Sequence, residues 1–114
     1  MMSSSYDHLP KPLITAIIPT FNEERNLAGV LAVLHLSEIL DEIIIVDDGS
    51  VDNTVAIARQ FAATDARVKL IQHERNQGKG QAIFTAWSAT TAPYLLLLDA
   101  DLHALNPNHI LALM

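Results

Sequence analysis

Two carboxylates two residues apart, Asp99 and Asp101, follow directly on the apolar run Leu95 to Leu98. That run has no polar break and reads as a strand buried on both faces. In extended chain, side chains at i and i+2 point to the same side. Carboxylates where a buried strand emerges must be solvated, paired or metal-bound, because an unpaired charge is costly to bury. Mg²⁺ or Mn²⁺ takes one or two carboxylates and completes its shell with phosphate oxygens and water. The pair therefore suits a hard divalent cation with a phosphate-bearing ligand. Its plain alternative is a solvated acidic turn.

The chain upstream must supply the elements that place such a pair. Residues 1–12 read as a polar lead-in. Leu13 to Ile18 is apolar and β-branched, a first strand, and Asn22 is expected to cap the next helix with Glu23 and Glu24 in its first turn. Leu27, Val30, Leu31 and Leu34 fall on one helical face. Ile43 to Val46 and Val68 to Ile71 are further strands, separated by a helix that turns Ala58, Phe61 and Ala62 inward. Gln77 to Gly80 reads as a loop before a third helix, in which Trp87 is expected in the core. The leucine run is the fourth strand, and Asn106-Pro107 opens a last helix. The alternation predicts an α/β fold, three layers (α/β/α) around a mostly parallel sheet, in one domain over 13–114.

In an open α/β sheet, ligands bind outside the carboxyl ends of the strands. Every such end carries polar groups here: Thr20, Asn22 and Glu23; Asp47 and Asp48; Asn76, Gly78 and Lys79; Asp99 and Asp101. Together they make a mostly acidic site that wants a cation plus hydrogen-bond donors such as a base or sugar. Asp48 has the alternative of closing the turn at Gly49 and Ser50, Glu23 and Glu24 that of complementing a helix dipole, and Lys79 that of a solvated lysine.

Composition narrows the classes. The net charge of −6 argues against a nucleic-acid backbone binder. There is no cysteine, so disulfides and thiolate-metal sites are excluded. No signal peptide or membrane-spanning run is read, and a cytoplasmic location is expected. Gly78-Lys79-Gly80 lacks the spacing of a P-loop, and no GxGxxG follows the first strand.

The motifs Ile17-Ile18-Pro19-Thr20-Phe21-Asn22-Glu23-Glu24, Ile44-Ile45-Val46-Asp47-Asp48-Gly49-Ser50, Asn76-Gln77-Gly78-Lys79-Gly80 and Asp99-Ala100-Asp101-Leu102, in that order, resemble family-2 glycosyltransferases of the GT-A fold. Within that family the chain looks most like polyprenyl- or dolichyl-phosphate sugar transferases. The resemblance implies a nucleotide-diphosphate-sugar donor, with Mn²⁺ or Mg²⁺ as cofactor. It puts Pro19, Phe21 and Glu23 beside the nucleotide, Asp48 on the base, Asp99 at the ribose and Lys79 near the nucleotide. Asp101 becomes the metal ligand, with His103 a candidate second ligand through a ring nitrogen. Phe21 stands where the family usually has tyrosine, which removes a hydroxyl and keeps a stacking face.

The resemblance also implies strand order third, second, first, fourth, with the leucine strand at the edge. A full domain of this kind runs to roughly 200 residues or more. Acceptor binding (a polyprenyl phosphate or another glycan or lipid), the catalytic base and any membrane anchor, which would place a longer form at the cytoplasmic membrane face, are then expected outside this chain. The competing reading is a truncated, non-catalytic nucleotide-binding module. A phospho-receiver domain is disfavoured because the acidic pair follows the second strand and Ile71-Gln72-His73 ends the third without an aspartate. A sugar nucleotidyltransferase would need a glycine-rich basic loop where Pro19-Thr20-Phe21-Asn22-Glu23 stands.

Overall fold

The computed structural model describes residues 12–101. His103, the helix expected from Asn106 and all but the last residue of the lead-in lie outside them. The described elements are β1 (Ile14–Thr20), α1 (Leu27–His35), β2 (Glu42–Asp47), α2 (Thr54–Thr64), β3 (Val68–Gln72), α3 (Lys79–Ser88) and β4 (Tyr94–Leu97). All strand pairs are parallel, in the order β3-β2-β1-β4. Strand order reverses between β1 and β4, so a crevice opens between their carboxyl ends.

The alternation of side chains across β1 and β2 sorts the core into two layers. Ala16, Ile18, Ile43 and Ile45 pack with Leu27, Val30, Leu31 and Leu34 of α1 and Ala58 of α2. Ile17, Ile44 and Val46 face the other way, against Ala82 and Ala86 of α3. The result is the expected α/β/α sandwich, with two helices on one face and one on the other. Phe61 and Ala62 are half-buried against the larger core.

Several expectations are corrected. β4 is not buried on both faces: Leu95 and Leu97 are exposed, because α3 packs mainly on β1 and β2 and no described helix covers that face of β4. Trp87 is 63% exposed, not core. The buried stripe of α3 is Ala82 and Ala86, small residues that let the helix lie close to the sheet, and Trp87 is turned about 100° away from Ala86. Lys79 and Gly80 already belong to α3, so the expected loop is shorter. Asn22 does not cap α1. It takes a positive φ of 53°, its Oδ1 accepts from the Val51 N–H, and the helix starts only at Leu27, with no acidic residue in its first turn.

Arg67 ties the larger core together beneath α1. Its guanidinium donates to the carbonyls of Leu34, His35, Ser37 and Leu40, and forms a bidentate pair with the buried carboxylate of Asp65. Those carbonyls include helix-terminal acceptors that have no partner within the helix. Arg67 holds the Asp65 carboxyl well below the usual carboxylate range.

Replacing Arg67 with Met is expected to lower unfolding stability by about 3–5 kcal/mol, the range for breaking a buried ion pair from one side. The shift of Asp65 also sets the acid response. A depressed folded-state pKa adds stability that is fully present above the unfolded value of about 4. That stability is lost as pH falls through the lowered value. Urea melts of wild type should therefore weaken progressively below pH ~4, and the Arg67→Met variant should lose less over that interval. A variant as stable as wild type would show that Arg67 carries no such role.

Candidate functional site

The carboxyl ends of β1 and β4 and the start of α3 enclose an open cleft of about 410 Å³. That size suits a small-molecule ligand. It is lined by Pro19, Thr20, Phe21 and Glu23 after β1, Asp48 after β2, Asn76, Gly78, Lys79 and Ala82 around the start of α3, and Asp99, Ala100 and Asp101 after β4. The structure thus gathers Pro19, Phe21, Glu23, Asp48, Lys79, Asp99 and Asp101 around one space. His103 lies outside the described residues.

Asp47 and Asp48 take opposite tasks because successive residues of a strand face opposite ways. Asp47 closes the turn, accepting from the Ser50 N–H at 2.9 Å and the Ser50 hydroxyl at 2.6 Å, and it also binds the Thr20 hydroxyl at 3.0 Å. The turn role considered for Asp48 therefore belongs to its neighbour. Asp48 reaches the other way. Its Oδ1 accepts from the Gln77 N–H at 2.8 Å and lies 2.8 Å from His73 Nδ1, and its Oδ2 accepts from the Gly78 N–H at 2.8 Å. Burial would raise the Asp48 pKa, but the hydrogen bonds from Gln77, His73 and Gly78 outweigh it and hold the group below its ordinary value.

Two glycines make this approach feasible. Gly49 has φ +87°, and a Cβ there would sit 2.9 Å from the Asn76 nitrogen. Gly78 has φ +97° and delivers its N–H to Asp48 where the chain turns into α3. The loop after β1 is pinned as well. Ser50 accepts from the Asn22 N–H, Thr54 from the Glu23 N–H and Asp52 from the Glu24 N–H.

Lys79 is neither a free lysine nor part of a loop: its ammonium pairs with the Asp99 carboxylate. That partner, and the nearby Asp101, raise the Lys79 pKa above its ordinary value. Chain direction changes beyond β4, with Ala100 and Asp101 in a turn, and both Asp99 and Asp101 stay exposed on the cleft. Among the described residues no three His, Cys, Asp or Glu groups converge as a ready-made cage. Two exposed carboxylates beside a cleft nevertheless match the donor set of a cation that finishes its shell with phosphate and water. His73 and Thr85, which join Asp48 to α3, were not singled out from the sequence. The available signal was a histidine just beyond the third strand, where the other strands also carry polar groups.

A family model described as glycosyl transferase family 2 matches residues 15–114. An uncharacterized protein of Methanocaldococcus jannaschii is 41% identical over 91 residues, which is 75% of this chain and 39% of that protein. A dolichyl-phosphate beta-glucosyltransferase of Trichomonas vaginalis is 31% identical over 96 residues, 76% of this chain and 28% of that protein. Among solved structures, the mannosyltransferase of Pyrobaculum calidifontis in complex with GDP-Man and Mn²⁺ superposes with a TM-score of 0.72 at 28% identity, over 81% of this chain and 28% of the other. The chain thus spans well under half the length of these relatives. No described helix is long and apolar enough to cross a membrane.

Asp48→Asn offers a direct check on how the cleft is built. An amide has a single acceptor oxygen, so one of the Gln77 and Gly78 N–H groups must lose its partner. Amide hydrogen exchange at one of these two positions should accelerate at least about tenfold, the equivalent of about 1.4 kcal/mol of local opening. Unchanged exchange would mean that the loop is held by other contacts.

Proposed function

The chain belongs to glycosyl transferase family 2, and from that premise we propose that its cleft is the donor site of a metal-dependent glycosyltransferase, binding a nucleotide-diphosphate sugar. One observation carries the metal requirement. Four carboxylates (Glu23, Asp48, Asp99, Asp101) and one ammonium (Lys79) line the cleft. A diphosphate is anionic and would meet net repulsion there, so it enters favourably with a divalent cation.

In this reading Pro19, Phe21 and Glu23 border the nucleotide, with the half-exposed ring of Phe21 as a stacking face. Asp48 accepts a hydrogen bond from the base, and Asp99 bonds the ribose. Lys79, at the start of α3, exchanges its carboxylate partner for a phosphate oxygen. Asp101 holds the metal, Mn²⁺ or Mg²⁺, which when bound neutralises charge on the leaving diphosphate. The mannosyltransferase complex with GDP-Man and Mn²⁺ supports both the ligand class and the metal. The name of the dolichyl-phosphate relative supports a lipid-linked phosphate as acceptor. A catalytic base is sought in the part of the relatives that this chain does not span.

Isothermal titration with GDP, UDP, ADP and CDP, each with and without Mn²⁺, tests the reading. At least one is expected to bind far more tightly with Mn²⁺, and Asp101→Asn should remove most of that gain because it removes an anionic ligand. Binding that is indifferent to Mn²⁺ in wild type, or a full Mn²⁺ effect in Asp101→Asn, would refute the metal assignment. No binding of any nucleoside diphosphate would refute the donor site.

A further inference from the structure

His73 stands just past β3, and its side chain is only 8% exposed. Both ring nitrogens are engaged: Nδ1 lies 2.8 Å from Asp48 Oδ1, and Nε2 lies 2.9 Å from Thr85 Oγ1 on α3. An ionised carboxylate can only accept, so Nδ1 must carry the proton of this contact. In the neutral ring Nε2 is then an acceptor, and the Thr85 hydroxyl donates to it. Thr85, whose hydroxyl can donate or accept, accommodates the tautomer that Asp48 sets and holds the far side of the ring.

The consequence lies on Asp48. A carboxylate has about four acceptor positions, two on each oxygen. Among the described residues, Oδ1 is filled by His73 and by the Gln77 N–H, whereas Oδ2 carries only the Gly78 N–H. One acceptor position remains, on Oδ2, and Asp48 lines the cleft. We infer that His73 is a positioning residue of the donor cleft: by occupying Oδ1 it fixes the Asp48 carboxylate so that the free acceptor of Oδ2 meets an N–H donor on the ligand's base. The inference rests on the donor-site reading above and adds to it a residue that selects for a donor, not an acceptor, at that point of the base.

The order Asp48, His73, Thr85 resembles the connectivity of a hydrolytic triad. Thr85, however, lines neither the donor cleft nor the neighbouring depression that His73 borders. The chain of hydrogen bonds ends on Asp48, which lines the cleft, so its product is orientation.

The test uses His73→Asn, His73→Phe and Thr85→Val, with a urea melt of each. An asparagine amide can place its nitrogen where Nδ1 sits and keep the bond to Asp48, whereas phenylalanine keeps the ring and loses both bonds. With Mn²⁺ present, GDP, UDP, ADP and CDP are titrated in parallel with inorganic pyrophosphate, which has no base. For the nucleotide that wild type binds best, His73→Phe should weaken affinity on the order of ten- to a hundredfold, the effect of one hydrogen bond to a charged group. His73→Asn should restore most of it, and pyrophosphate affinity should stay unchanged in all variants. Nucleotide and pyrophosphate affinities that fall together would reduce His73 to a structural role and overturn the inference, as would wild-type nucleotide affinity in His73→Phe. If His73→Phe does not fold, Thr85→Val decides. A smaller selective loss of nucleotide affinity supports the inference, and none overturns it. Pyrophosphate binding without nucleotide selectivity in wild type would refute base recognition itself, and this inference with it, while leaving the metal assignment standing.

Discussion

A buried carboxylate must be given donors, and the way Asp48 receives them governs the geometry of the cleft. At 4% exposure it has no water shell of its own to fall back on. Its partners come from the segment after β3: the backbone of Gln77 and Gly78 and the ring of His73. That segment runs into α3, so one charge at the end of β2 sets where a helix on the far face of the sheet begins. The absence of a side chain at Gly49 lets the backbones come close enough for these bonds, and the positive φ of Gly78 turns its N–H onto Asp48. Lys79, the first residue of α3, is then carried to the rim beside Asp99.

The two ends of the sheet handle charge in contrasting ways. At the amino end, Glu42 is buried and accepts from Thr15, Thr90 and Lys69. Burial raises its pKa, and those bonds more than offset the effect. Near the same end Asp65 and Arg67 neutralise each other while holding the end of α1. At the carboxyl end Asp47 is likewise hydrogen-bonded within the fold, but Asp99 and Asp101 stay exposed. Among the described residues no buried side-chain polar atom lacks a partner. Asp99 and Asp101 thus present exposed carboxylates to the cleft, in contrast to the buried, bonded Glu42 and Asp65. That asymmetry separates a charge that stabilises the fold from one available to a ligand.

Much of this was legible in the sequence, and the failures share a cause. Continuous apolar runs identified β1, β2 and β4, and helical spacing identified the buried face of α1, because burial on one side leaves a periodic trace. What each run meets leaves no such trace. Leu95 and Leu97 are as apolar as the core strands, yet they lie at an edge that no described helix covers. Trp87 was expected inside on the habits of its type, whereas its helix docks through alanines. Adjacent aspartates cannot be told apart by type, so the turn role went to Asp48 as an alternative where the pleat gives it to Asp47. The convergence of Asp48, Lys79, Asp99 and Asp101 followed from topology, since the three aspartates stand just past strand ends, and Lys79 opens the helix after β3, on the edge to which a parallel sheet brings them. The pairing of Lys79 with Asp99 and the bridge through His73 needed coordinates.

The same contacts separate what is rigid in the cleft from what can move. The loop after β1 is bonded through Asn22, Glu23 and Glu24 to the turn after β2, and that turn is bonded to Asp47. The loop before α3 is bonded to Asp48. These segments are ordered by the protein itself, so a ligand need not supply the ordering free energy, which is the advantage of a preorganised site. The pair of Lys79 and Asp99 is different in kind. Both side chains are more than half exposed, and an ion pair so placed contributes little to stability. A hydrogen-bond donor can take Asp99 and an anion can take Lys79 at small cost to the fold. The cleft thus combines a fixed frame with one weak, solvent-facing ion pair, and the exchange of partners is confined to groups whose release leaves the frame intact.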